Sequence, residues 1–139
     1  MRGDASLVKV GYSRLEGGCE AARELLALPQ RPTAIFATNN LMAVGLMRAA
    51  AEHGLQCPAD ISVACFDDFE WASVFHPRLT TVAQPTYDMG NKAAELLFAR
   101  LSGSGSEEPR EIVLAPTLII RDSCAAPSRE AARTRLASM

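Results

Sequence analysis

The chain has 139 residues, 48% of them hydrophobic and 22% charged, and its 14 basic and 16 acidic side chains leave a formal net charge of −2. That composition excludes a disordered chain, and the length suits one domain able to bury a core. Near-neutral charge excludes a strongly basic stand-alone nucleic-acid binder, and no apolar run approaches the roughly 18 residues that a membrane span needs.

In chain order, residues 8–12 form a short β-prone run and residues 13–18 a turn. Residues 19–28 predict a helix with Ala21, Ala22, Leu25, Leu26 and Leu28 on one broad face, broken by Pro29 and Pro32. Residues 33–38, TAIFAT, predict a buried strand, and Asn39-Asn40 signals a helix N-cap. The helix over 41–53 is apolar nearly all round, and Gly54 closes it. Residues 61–66, ISVACF, predict the next strand, and residues 67–75 a loop running into a short helix that Pro77 stops.

Beyond that point residues 79–83 are extended and Thr-rich. Residues 88–101 predict an amphipathic helix with Met89, Ala93, Leu97 and Leu101 at spacing four. Residues 102–109 are a polar Gly/Ser loop, 112–114 and 118–120 short strands around Pro116, and 125–139 a frayed tail carrying Arg129, Arg133 and Arg135. Alternating strands and helices argue for an α/β fold with a mainly parallel sheet. Ligands of such sheets bind beyond the C-terminal strand ends. Three polar clusters fall there: Tyr12-Ser13, Asn39-Asn40 and Asp67-Asp68.

Each cluster has two readings. Asp67 and Asp68 either cap the short helix or accept paired hydrogen bonds from a polyol or amine, capping being the stronger reading for Asp68. Of Asn39 and Asn40, one caps and the other is open to a ligand. The Tyr12 ring either stacks on a sugar face or is simply half-buried. No metal or hydrolase spacing occurs, and nothing ties His53 or His76 to Ser13 or Ser73, so no catalysis and no cofactor is expected. Cys19, Cys57, Cys65 and Cys124 contain no CxxC pair, and Cys19 and Cys65, in apolar surroundings, read as small buried hydrophobes. The chain start shows no signal-peptide pattern, so a cytoplasmic location is expected.

Three motifs occur in order. They are Pro32-Thr33-Ala34 with Asn39-Asn40 and Ala43-Val44-Gly45; Pro58 and Ile61 with Phe66-Asp67-Asp68; and Pro77, Leu79, Thr80, Thr81 and Val82 with Met89-Gly90. With the closing LIIRDS they make about residues 8–123 resemble the C-terminal part of LacI/GalR-type transcriptional repressors. The resemblance implies a periplasmic-binding-protein-like pair of α/β lobes, behind a helix-turn-helix headpiece that contacts operator DNA. It implies a small-molecule effector, a sugar or a nucleobase, touching Asp67, Asn39 and Tyr12. It also implies a homodimer through Val44, Trp71, Val74 and Phe75. Residues 1–123 would then be a partial effector-binding and dimerisation domain, mostly second lobe, in which 86–101 is a helix of the first lobe, followed by a flexible tail over 124–139. Two positions depart from the pattern: Asn40 stands for the usual Asp, and Cys65 for the usual Gly. The family is well over twice this length, so the headpiece and a complete first lobe are expected outside this chain. The alternative is a solute-binding protein of the same fold serving sugar uptake.

Overall fold

The computed structural model describes residues 4–104 and 108–127. Four strands, β1 (Ala34–Ala37), β2 (Ser62–Phe66), β3 (Thr80–Ala83) and β4 (Thr117–Ile119), lie side by side in that order. The β1–β2 and β2–β3 pairs are parallel and β3–β4 is antiparallel, so the sheet is mainly parallel as expected. Three helices accompany it: α1 (Leu15–Leu26), α2 (Asn40–Glu52) and α3 (Thr86–Leu101).

The α2 helix is where sequence and structure agree most closely. Asn39 is its N-cap, with Oδ1 accepting from the Met42 N–H at 2.8 Å. Gly54 turns the chain away at φ +68°. The helix packs on α1 on one side and on β1 and β2 on another. Its all-round apolar composition is thus largely covered within the chain, and Ala43, Leu46 and Ala49 join Ile61, Val63, Cys65 and Leu79 in the core.

Three expectations are corrected. First, residues 8–12 are not a strand. Val8 is extended, yet residues 8–10 join no sheet, and Val8 and Val10 are exposed. The reason is spatial: a cavity of about 350 Å³, lined by Leu7, Val8 and Lys9 and by the β1 residues, separates this segment from the edge of β1. Second, α1 begins at Leu15, so the stretch read as a turn is its first turn. Gly17 and Gly18 are poor helix formers, but they lie where other backbone passes close by, Gly11 against Gly17 and Met42 against Gly18. Third, residues 112–114 form no strand, and β4 is shifted one residue back from the expected 118–120.

The α3 helix formed as expected, and none of its residues is buried; Met89, Leu97, Phe98 and Leu101 are all exposed. The expected frayed tail is pinned at its start. Ala125 exchanges hydrogen bonds with the Ser62 hydroxyl, donating its N–H at 3.0 Å and accepting at 3.1 Å. Residues 105–107 of the expected loop and 128–139 of the expected tail, with the three tail arginines, lie outside the described residues.

Ser123 is the fastener of this closing segment. Its fully buried hydroxyl accepts from the Thr80 N–H at 2.8 Å and donates to the Val63 carbonyl at 2.6 Å. Ser123→Ala takes the acceptor from the buried Thr80 N–H and leaves the Val63 carbonyl to the weaker Cys124 thiol, and is expected to cost about 2 kcal/mol. Urea unfolding followed by circular dichroism measures this; an unchanged midpoint would show that the two groups find other partners.

Candidate functional site

The site is built where β1, β2 and β3 end. Register pairs Ala37 with Cys65. Asn39 and Asp67, each two residues further on, therefore leave the sheet from neighbouring strands, which run about 4.8 Å apart. Asp67 takes a left-handed backbone at φ +75°, and its N–H donates to the Val82 carbonyl at 3.0 Å. A non-glycine residue in that region costs roughly 1–3 kcal/mol and tends to occur at functional positions. Tyr12 and Ser13 take the same rare conformation, at φ +51° and +55°.

Side chains tie these residues into two pairs. Asn39 Nδ2 donates to the Ser13 carbonyl at 3.3 Å, joining the 12–13 turn to the start of α2. Gln84, directly after β3, donates from Nε2 to Asp67 Oδ1. Among the described residues Asp67 Oδ2 has no hydrogen-bond partner. The Tyr12 ring is exposed. The cluster thus offers a charged acceptor, an amide with one N–H still to donate, and an aromatic face, which is the equipment for holding a hydroxylated or heterocyclic small molecule.

Neither aspartate caps the short helix. The 3-10 helix Glu70–Ser73 has Phe69 at its N-cap and no side-chain cap at all. Asp68 is engaged elsewhere: Arg121 grips it with two bonds, Nη1 to Oδ1 at 2.8 Å and Nη2 to Oδ2 at 3.1 Å, and Thr81 Oγ1 donates to Oδ1 at 2.8 Å. Arg121 also reaches the Leu79 carbonyl at 2.7 Å. The Arg121 contact, with Thr81 helping, holds the Asp68 carboxyl below its ordinary value against the opposing effect of burial. This clamp orients the loop that presents Asp67. As for Asn39 and Asn40, Asn39 is the cap, while Asn40 Oδ1 accepts from the Leu41 N–H.

Sequence reasoning missed Gln84 and Arg121. Both lie far along the chain from the carboxylates they bind, 17 and 53 residues away. Their signal was positional only: Gln84 at the end of the third parallel strand, and Arg121 as a lone base after an apolar run. Among the described residues of this site the Cys65 thiol and the Ser73 hydroxyl bond to backbone carbonyls, and neither to a side-chain base. Cys65 is buried, which pushes its thiol up to about 12, with the charges of Asp67 and Asp68 adding to the shift. His53 lies at the far end of α2, beside the Ala49 carbonyl, and Ser73 bonds back to Glu70. Among the described residues no three His, Cys, Asp or Glu side chains group as metal ligands, and no helix is long and apolar enough to cross a membrane.

The residues expected at a dimer contact are divided. Trp71 and Val74 are exposed. Val44 is half-buried on α2, and Phe75 is partly spent on its own core, edge-on to Phe69 at 6.3 Å.

Comparison with known proteins identifies the family and the fold. Residues 4–124 match the periplasmic binding protein-like domain family. A probable opine utilization operon repressor of Rhizobium rhizogenes is 37% identical over 89% of this chain, and the HTH-type transcriptional repressor PurR of Erwinia tasmaniensis is 44% identical over 79%. The chain spans 63% and 32% of their respective lengths. A solved complex of the transcriptional regulator CelR with cellobiose superimposes with a TM-score of 0.82 at 36% identity, covering 88% of this chain and 37% of that one. The chain belongs to the periplasmic binding protein-like domain family, and these relatives within it are LacI-type regulators of transcription.

Proposed function

We propose that this chain is the effector-sensing and dimerisation part of a cytoplasmic LacI-type transcriptional repressor, and that its effector is a sugar. The observation that carries this reading is Asp67: a carboxylate on a left-handed turn at a strand end, one oxygen held by Gln84 and the other open. Asn39, leaving the neighbouring strand, would serve as donor, and Tyr12, in the turn that Asn39 bonds, as stacking surface. The cellobiose complex of a relative supports a sugar over a nucleobase. The relatives' names support regulation over solute uptake. Operator DNA would be contacted by a helix-turn-helix headpiece in the part of the relatives' length that this chain does not span. Two copies would meet through exposed Trp71 and Val74, with Val44 and Phe75 behind them, while exposed α3 packs against a first lobe.

Isothermal titration against a panel of mono- and disaccharides and nucleobases tests the reading. A charge-assisted hydrogen bond is worth about 1.5–3 kcal/mol, so Asp67→Ala is expected to weaken sugar binding roughly ten- to hundredfold. Binding that is equal in the variant would remove Asp67 from the site, and a nucleobase binding in place of any sugar would overturn the effector class.

A further inference from the structure

Two cysteines bond to the same short stretch of backbone at the opposite end of β2 from Asp67. Cys57 lies in the segment between α2 and β2, and Cys124 in the segment that closes the fold. Both thiols donate to backbone carbonyls of one hydrogen-bonded residue pair, Val63 and Ser123. The Val63 N–H donates to the Ser123 carbonyl at 2.9 Å. Cys57 Sγ donates to that same carbonyl at 3.4 Å, and Cys124 Sγ to the Val63 carbonyl at 3.3 Å. The backbone on either side is already fixed by the Ser62–Ala125 and Ser123–Val63 bonds. Both cysteines are free thiols; Cys124 is exposed, and Cys57 lines an open cavity of about 580 Å³ with Met47, Leu55 and His76. Cys19 and Cys65, by contrast, are buried in the core.

We propose that Cys57 and Cys124 form an oxidation site, closing to a disulfide that latches the 121–125 segment onto the start of β2. The segment carries Arg121, so the latch would secure the residue that clamps Asp68 beside the candidate site. A low-molecular-weight disulfide, RSSR, serves as oxidant. The Cys124 thiolate attacks one sulfur, the S–S bond breaks, and the first RS⁻ leaves and takes up a proton. Cys57 then loses its proton to solvent and its thiolate attacks the Cys124 sulfur, displacing the second RS⁻. Two protein thiols are oxidised and RSSR is reduced to two RSH. Burial raises the Cys57 thiol to about 11, and neighbouring Cys124 adds to this, so the closing step is the slow one at neutral pH.

The test is incubation of the folded chain with oxidised glutathione, alkylation of the remaining thiols, and peptide mapping without reduction. The expected product is a crosslinked peptide pair containing Cys57 and Cys124, with Cys19 and Cys65 alkylated only after unfolding. Ring closure from the mixed disulfide should accelerate roughly tenfold per pH unit between about pH 7 and 10, following the Cys57 thiolate. The oxidised wild type should melt at a higher temperature than the reduced form, a difference absent from Cys124→Ser. A glutathione adduct that persists on Cys124 at about pH 9 while Cys57 stays alkylatable would overturn the proposal. So would crosslinks between any other pair. The peptide map and the ring-closure rate come from the unmodified chain and do not depend on a variant folding.

Discussion

Gly45→Ala is expected to destabilise the fold by about 3 kcal/mol, although the exchange favours a helix by about 1 kcal/mol on propensity alone. The reason is the crossing of α1 and α2. A β-carbon at Gly45 would press deep into the Leu15 carbonyl oxygen and come within 2.6 Å of the Cys19 nitrogen. These are backbone atoms of α1, which cannot rotate aside as a side chain would. Gly18 makes the reciprocal approach from α1, where an added β-carbon would lie 2.6 Å from the Met42 α-carbon. Two glycines facing each other's helices let the axes come close, and one methyl group forces them apart along an interface that includes Cys19, Ala22 and Leu46. Gly90 in α3 is the control, because nothing lies within 4 Å of its β-carbon position. Gly90→Ala is expected to be neutral or to stabilise by up to about 1 kcal/mol. Thermal unfolding of the two variants side by side decides the matter, and a Gly45→Ala midpoint at or above wild type would show that the helices separate without cost.

The second large effect belongs to the Arg121–Asp68 clamp. Arg121→Met keeps most of the stem but removes the guanidinium. Asp68 then loses its paired donor, and the Leu79 carbonyl loses its contact. Arg121 is largely enclosed and the Asp68 side chain only 26% exposed, so water replaces these bonds poorly. The expected loss at neutral pH is about 2–3 kcal/mol. Its pH dependence has a definite sign. Asp68 has a lowered pKa in the folded chain, chiefly through Arg121. A depressed carboxylate contributes stability above its unfolded value, about 3.9, and loses it as pH falls through the lower folded value. The gap between wild type and variant should therefore be constant from about pH 7 to 5 and narrow below about pH 4. Denaturant midpoints at neutral and acidic pH measure it. A gap that stays the same in acid would assign the cost to the Leu79 contact and to packing instead of the charge pair.

The elements legible in the sequence are those whose causes are local. The apolar runs before Asn39 and Asp67 are short and bounded by polar residues, and they became β1 and β2. Asn39 caps α2 because an amide oxygen three residues before a free N–H reaches it in any context, and Gly54 ends the helix because it accepts positive φ. Strand alternation with helices put Asp67 and Asn39 at the C-terminal ends of parallel neighbours, so the position of the candidate site followed from chain order. The cover of α2 was less legible. Composition alone left α2 uncovered on two sides, whereas α1 and the sheet cover much of it.

What only the tertiary structure decided are choices made between distant residues. Residues 8–12 carry strand propensity, but a strand is a pairing, and here β1 lies across a cavity from them. Gly17 and Gly18 read as a turn because their propensity is poor; they are helical because Gly11 and Met42 pass too close for any side chain. Asp67 and Asp68 are adjacent in sequence and identical in chemistry, and the fold gives them opposite fates. Arg121 and Thr81 consume Asp68, while Gln84 holds one oxygen of Asp67 and leaves the other open. Periodicity and capping act over three or four residues, so the sequence by itself determined α2, α3, the three parallel strands and the end of the sheet where polar groups gather. Which carboxylate stays available depends on partners dozens of residues away, and only folding brings them into hydrogen-bond range.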